Sequence, residues 1–192
     1  MQGWQFKLIK ALAFIHKMDG LSDGDFRDYY ENQHAPLAST LLSLEGYERN
    51  YINSKLNPLY KSLGSISIFK YQSMESLDVI GKQMSSDAGD ILRNDEVKFM
   101  NVPKNYFVLT QSDQLTEMEF NKKIFYSAND MENLNLLDSY DGIKKISDNL
   151  VIEPNKIFGI AEYGITKETS LDTLEHLTQE HPQAIIASCV SR

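Results

Sequence analysis

The side chains best suited to chemistry in this 192-residue sequence lie in its first third. His34 stands in the run Gln33-His34-Ala35-Pro36. An imidazole titrates near neutrality and serves as general base or general acid. Pro36 interrupts the helix that carries this histidine, so the competing reading is a ring that satisfies backbone groups freed at the break. Farther on, Tyr47-Glu48-Arg49-Asn50-Tyr51 is a strand in which Tyr47, Arg49 and Tyr51 share one face. If that face points into a cavity, Arg49 can hold a carboxylate or phenolate while the tyrosines flank an aromatic ring. Packing between two sheets, with Arg49 paired to an acid, is the alternative. Tyr30 sits on a helical stripe with Phe26, Tyr29, Gln33 and Leu37, a pattern of helix–sheet packing that also leaves it able to touch a bound molecule. His16 ends the first strand and can reach the same cavity.

Other chemistries find little support. His176 and His181 are five residues apart, about 500° of helical turn, and point away from each other. No His-x-x-x-His or Cys/His cluster exists, so no metal is expected. The phosphate-binding glycine motifs and the Gly-x-Ser-x-Gly elbow are absent. A haem would need an axial ligand from His16 or His34, and nothing else in the sequence argues for one; no cofactor is expected. Acidic residues (27) outnumber Lys plus Arg (19), a formal charge of −8 with no basic stripe. Nucleic acid and anionic membranes are therefore not expected partners. Cys189 is the single cysteine and reads as a small apolar residue of a late strand, which suits a reducing, cytoplasmic setting. The N-terminal apolar run is short and contains Lys7 and Lys10, unlike a signal peptide, and no apolar stretch reaches membrane-spanning length.

The elements that must position these groups follow from periodicity. Residues 7–16 read as a strand apolar on both faces, which demands cover on both sides. Gly20 allows the turn, Ser22 caps a helix from Asp23 to Asn32, and a second helical stretch runs from Pro36 to Leu44. Strands follow at 47–53 and 65–71, a helix at 76–85, a loop over Asp87–Asn94, and a strand at 105–110. The order is β-α-β-β-α-β, a four-stranded sheet with both helices on one face. The second half repeats the plan less clearly. A strand at 122–128, a helical pattern over 130–148, two strands joined at Pro154-Asn155, a helix at 170–180 and a final apolar strand are expected.

The string GLSDGDFRDYYENQHAPLASTLLSLEGYERNYIN, followed later by ILRNDEVKFMN, resembles the EthD-like family of the dimeric α/β-barrel (ferredoxin-like) superfamily. The resemblance runs from about Lys7 to Thr110. It departs from the family where a Lys-Arg-Lys-Pro run is replaced by His16-Lys17-Met18-Asp19. It implies an α+β fold of ferredoxin-like units whose two sheets close around a cavity. Residues 1–113 would be one unit and 114–192 a diverged second one, so that a single chain supplies both sheets; a separate second domain is the alternative. The wider superfamily includes monooxygenases, cyclases, decarboxylases, isomerases and haem enzymes. The expectation is an enzyme acting without a metal on a small hydrophobic or aromatic, polyketide-like molecule inside the barrel. His34 would transfer the proton, and Arg49, Tyr47, Tyr51, Tyr30 and His16 would line the site. A non-catalytic ligand-binding or assembly module is the other reading, and homo-oligomerisation stays open.

Overall fold

The computed structural model describes residues 8–116, 118–152 and 157–191. Eight antiparallel strands close into a barrel: β1 (Leu8–His16), β2 (Gly46–Ile52), β3 (Leu63–Tyr71), β4 (Tyr106–Gln114), β5 (Lys122–Ala128), β6 (Ile143–Val151), β7 (Gly159–Ile165) and β8 (Ile185–Ser191). Their order around the wall is β1-β3-β2-β8-β5-β7-β6-β4. Two four-stranded sheets, β4-β1-β3-β2 and β8-β5-β7-β6, meet where β2 pairs with β8 and where β4 pairs with β6. Closure removes every exposed sheet edge. It also explains why β1 is apolar on both faces. Leu12 and Phe14 point into the barrel with Ile66, Ile68, Phe125 and Ile160. Ala11, Ala13 and Ile15 point out toward helices.

The helical layer of the first half begins with α1 (Asp23–Tyr29), capped by the Ser22 hydroxyl on the Asp25 amide. Gly20, at φ +87°, makes the turn before it. Gly64 of β3 lets α1 dock closely: a Cβ there would lie 2.5 Å from the Phe26 ring. The expected break at Pro36 does not occur. Residues Tyr30–His34 form a π-helical turn, and α2 (Ala35–Leu41) continues from it in helical geometry. The Ala35 amide reaches back five residues to the Tyr30 carbonyl. Pro36, which has no N–H to give, thus sits in the opening turn of α2, where none is needed. Such one-turn widenings recur at functional sites.

The stretch after Asp87, expected as a loop, is instead helix α4 (Asp87–Glu96), packed beside α3 (Met74–Met84). Its buried positions are Gly89, Leu92 and Asp95, a single face with one large apolar residue in a strongly polar segment, so the segment reads as a loop although its residues segregate by face as in a helix. The helix expected over 130–148 is also absent. Asp130 takes the Asn133 amide and side chain, and a 3-10 turn at Asn133–Asn135 follows. Asn, Asp and Ser side chains compete for backbone partners in this way. Ile143 and Ile146 belong to β6, whose register shifts between Lys145 and Ser147. That bulge gives a strand the three-residue apolar spacing of a helix. Helix α5 (Leu171–Glu180) forms where a helix is expected, and the Ser170 hydroxyl caps it on the Thr173 amide. Lys7 and the Pro154-Asn155 turn lie outside the described residues. Among the described residues no helix is long and apolar enough to cross a membrane.

Candidate active site

The barrel interior is packed with aliphatic and aromatic side chains, and four buried charges, Lys10, Glu48, Lys123 and Glu162, cross its middle. A cavity that could take a ligand lies on the other face of the first sheet. It has a volume of about 970 Å³ and is bounded by β1, β3, β4, α2, α3 and α4. Its walls are mainly apolar, with Ala13, Leu42, Phe69, Leu77 and Leu109 among them. The face of β2 that carries Tyr47, Arg49 and Tyr51 thus looks toward the helices and not into the barrel. The cause is strand parity: odd-numbered residues of β1, β2 and β3 face the helices.

Three of the sequence candidates, Tyr30, His34 and Tyr47, line this cavity. The π-helical turn delivers Tyr30 and His34 from above, and β2 presents Tyr47 from below. His34 is buried, and its Nδ1 lies 3.0 Å from Asp95 Oδ2. This is not the backbone-satisfying role that a histidine beside a proline would otherwise take. Asp95 also accepts from the Tyr29 hydroxyl at 2.7 Å and from Lys98 Nζ at 3.2 Å. Burial acts to raise the Asp95 pKa, but the Tyr29, His34 and Lys98 hydrogen bonds win and hold it below the ordinary value. An ionised Asp95 requires the proton on Nδ1 of neutral His34, which leaves Nε2 as a base. Burial, partly opposed by Asp95, lowers the imidazole pKa from 6.5, so the ring is neutral at pH 7. Phe99 packs against the imidazole and Tyr30 rings at 5.1 and 5.3 Å.

The Tyr47 hydroxyl donates to Tyr30 at 2.9 Å, and Tyr30 and Ser67 share a further bond of 2.9 Å. Burial raises both phenol pKa values, so both remain protonated. Arg49 is fully buried and does not line the cavity. Its Nε and Nη2 donate to the two Glu31 oxygens at 3.0 and 2.9 Å, and Nη1 donates to the Tyr47 carbonyl at 2.8 Å. Tyr51 donates to Glu31 Oε1 at 2.7 Å. These two residues therefore clamp the π-helical turn to β2, the acid-paired alternative for Arg49. His16 lies apart, with Nδ1 3.0 Å from Ser62 Oγ.

Sequence reasoning missed Asp95 and Glu96 as site residues. Asp95 orients the imidazole, and Glu96 lines the cavity. The signal was the Asp-Glu-x-x-Phe segment at 95–99, which supplies Phe99 as well. Its meaning emerges only once α4 brings it against the His-Ala-Pro turn. Among the described residues no group of three or more His, Cys, Asp or Glu is placed to hold a metal ion. A haem would bring two carboxylates into this space. The lining offers one cation, exposed Lys82, against Asp78 and Glu96, so these residues do not fit that group.

The barrel with helices packed on its outer wall is a fold of the dimeric α/β-barrel type. A structure described, provisionally, as a chlorite dismutase aligns over 97% of this chain and 96% of its own, with TM-score 0.57 and 9% identity. One described in the same provisional terms as a monooxygenase, from Lactobacillus acidophilus NCFM, aligns over 96% and 94%, with TM-score 0.51 and 9% identity. An ethyl tert-butyl ether degradation (EthD) family protein from Bacillus halodurans C-125 covers 54% of this chain and 97% of its own, at 21% identity and TM-score 0.40. At these identities the whole-chain likenesses speak for the fold alone. Residues 18–103, a little under half of the chain, match the family model of the EthD domain, so this stretch is similar to that family. No curated protein matches the chain.

Proposed function

We propose that the chain is an enzyme that binds a small, largely apolar aromatic molecule between the first sheet and its helices and transfers a proton with His34. The observation that carries this reading is the His34–Asp95 pair opening on an apolar cavity of about 970 Å³. Nε2 takes a proton from an acidic C–H or O–H of the substrate, leaving an enolate or phenolate. The imidazolium so formed is balanced by Asp95 at 3.0 Å. The apolar walls exclude water, and the Tyr47–Tyr30–Ser67 hydroxyl chain fixes the floor. Cyclisation and oxygenation of an activated ring both begin with such a step. Decarboxylation loses its anchor, because the Arg49 guanidinium is spent on Glu31.

The chain reads further as two ferredoxin-like units in tandem, 1–113 and 114–192, closing the barrel that two chains would otherwise share. The strand orders β4-β1-β3-β2 and β8-β5-β7-β6 are the same under a half-turn. The registers correspond except at the shift in β6 between Lys145 and Ser147. Lys10 corresponds to Lys123, and Asn50 to Asn149. Each of those asparagines donates across its sheet, to Ile66 O at 3.0 Å and to Ile160 O at 2.9 Å. Among the described residues the second sheet is covered by α5, whose Leu174 and Leu177 fill the space against it, so one site per chain is proposed.

The test follows deuterium uptake from D₂O at the activated carbon of 2-tetralone, an enolisable bicyclic ketone, by NMR. The protein should accelerate uptake, and His34→Gln should abolish the acceleration while the circular dichroism spectrum is unchanged. Binding without acceleration would mark a ligand-binding module instead, and equal rates for both proteins would refute the role of His34.

A further inference from the structure

Glu96 is the last residue of α4, where the helix dipole disfavours a carboxylate, and it follows directly on Asp95. It lines the cavity, is partly buried, and its carboxyl makes no hydrogen bond among the described residues. It is near enough to Tyr30 to act on that phenol's ionisation. Burial raises its own pKa, partly offset by Arg93. An acid in so unfavourable a place contributes nothing evident to the fold.

The polarity of the whole cavity points the same way. Asp95 holds the Nδ1 proton of His34, so the remaining ring nitrogen is an acceptor. The Tyr47 hydroxyl is spent on Tyr30, and that of Tyr30 is shared with Ser67. Arg49 is spent on Glu31 and on the Tyr47 carbonyl. Lys82, the cation of the lining, is exposed at the mouth. Among the described lining residues the inner cavity thus offers two acceptors, the His34 nitrogen and the Glu96 carboxylate, with the Tyr71 hydroxyl beside them, and no cation.

We infer that Glu96 is the selectivity-determining group of this cavity, and that the molecule it takes is an uncharged aromatic bearing a hydroxyl donor, not an aromatic carboxylate. This rests on the cavity being the ligand site. A donor would replace the water that Glu96 loses when the apolar walls close on a ligand. A carboxylate would meet a like charge with no compensating cation.

Isothermal titration with 1-naphthol and 1-naphthoate, two ligands of similar size, tests the inference on the intact chain at neutral pH. The native protein should bind 1-naphthol at least about tenfold more tightly. Glu96→Gln, which keeps the shape and removes the charge, should bring the two affinities within about threefold. Equal binding of both ligands by the native protein would overturn the inference yet leave the cavity as the site. So would a preference that survives in Glu96→Gln. Failure of both ligands to bind would refute the cavity itself and the inference with it.

Discussion

Lys123 sits where the two halves of the barrel are held by charge, and its removal has a calculable cost. Its Nζ donates to Glu48 Oε1 and to Glu162 Oε1, each at 2.7 Å. Lys10 Nζ donates to Glu162 Oε2 at 3.0 Å and to Ser147 Oγ at 3.1 Å. The two lysines and two glutamates are buried and come from β1, β2, β5 and β7, so both sheets contribute. Lys70, half exposed, is 3.9 Å from Glu48 and can replace little of what Lys123 provides. Lys123→Met keeps most of the side-chain volume and leaves two buried carboxylates facing Lys10 alone. Breaking a buried pair in this way costs about 3–5 kcal/mol, a large share of the about 5–15 kcal/mol that holds a typical domain together. The double variant Lys123→Met/Glu48→Gln keeps Lys10 with Glu162 as a balanced pair and should recover about 1–3 kcal/mol of the loss. Urea denaturation at neutral pH reads both values from the shift in midpoint at constant slope. A cost below about 1 kcal/mol for Lys123→Met, or a double variant as unstable as the sum of the singles, would refute the charge-balance reasoning. Acid should weaken the same network. Burial acts against ionisation of Glu162, but Lys10 and Lys123 hold its pKa far below 4.5. The stability it contributes is complete above pH 4.5 and declines as pH falls, because the unfolded chain takes up the proton first.

Three further outcomes are expected. Arg49→Lys should destabilise the fold by about 2–3 kcal/mol, since an ammonium cannot reproduce the fork on Glu31, while 1-naphthol affinity stays within about twofold. Lost affinity with unchanged stability would instead assign the guanidinium to the ligand. The acid limb of any His34-dependent rate should lie below pH 6.5, because burial, only partly opposed by Asp95, lowers that imidazole's pKa. By the same sign, stability should fall as pH drops from 6.5 toward the lower folded value, a component that His34→Gln removes and denaturation at several pH values can resolve. Gly64→Ala should cost about 1–3 kcal/mol in a denaturation curve by pushing Phe26 off β3; an unchanged midpoint would mean that the ring gives way freely.

Much of the first half was legible in the sequence because its signals were local. The Ser22 cap, the strand that follows the α2 helix at Gly46, and the two-sided apolar β1 all follow from residue type and period. The helix α4 was hidden because Gly89, Leu92 and Asp95 make a buried face with one large apolar side chain. The bulge in β6 disguised a strand as a helix. Of the site, His34, Tyr30 and Tyr47 were legible as candidates, and which face of the sheet they serve was not. That depends on the second sheet taking the even-numbered face of β1, β2 and β3, a long-range fact that no local pattern records. The same dependence moved Arg49 from a ligand-holding role to a clamp. Only the acid that meets it, Glu31 on the π-helical turn, decides its task.

The most direct test of the site's placement is methyl and aromatic NMR of the protein titrated with 1-naphthol. Shifts should concentrate at Tyr30, His34, Tyr47, Phe69 and Leu77, which line the cavity under the helices. Shifts confined to Leu12, Phe14, Ile66, Ile68 and Phe125, the filling of the barrel, would contradict the account.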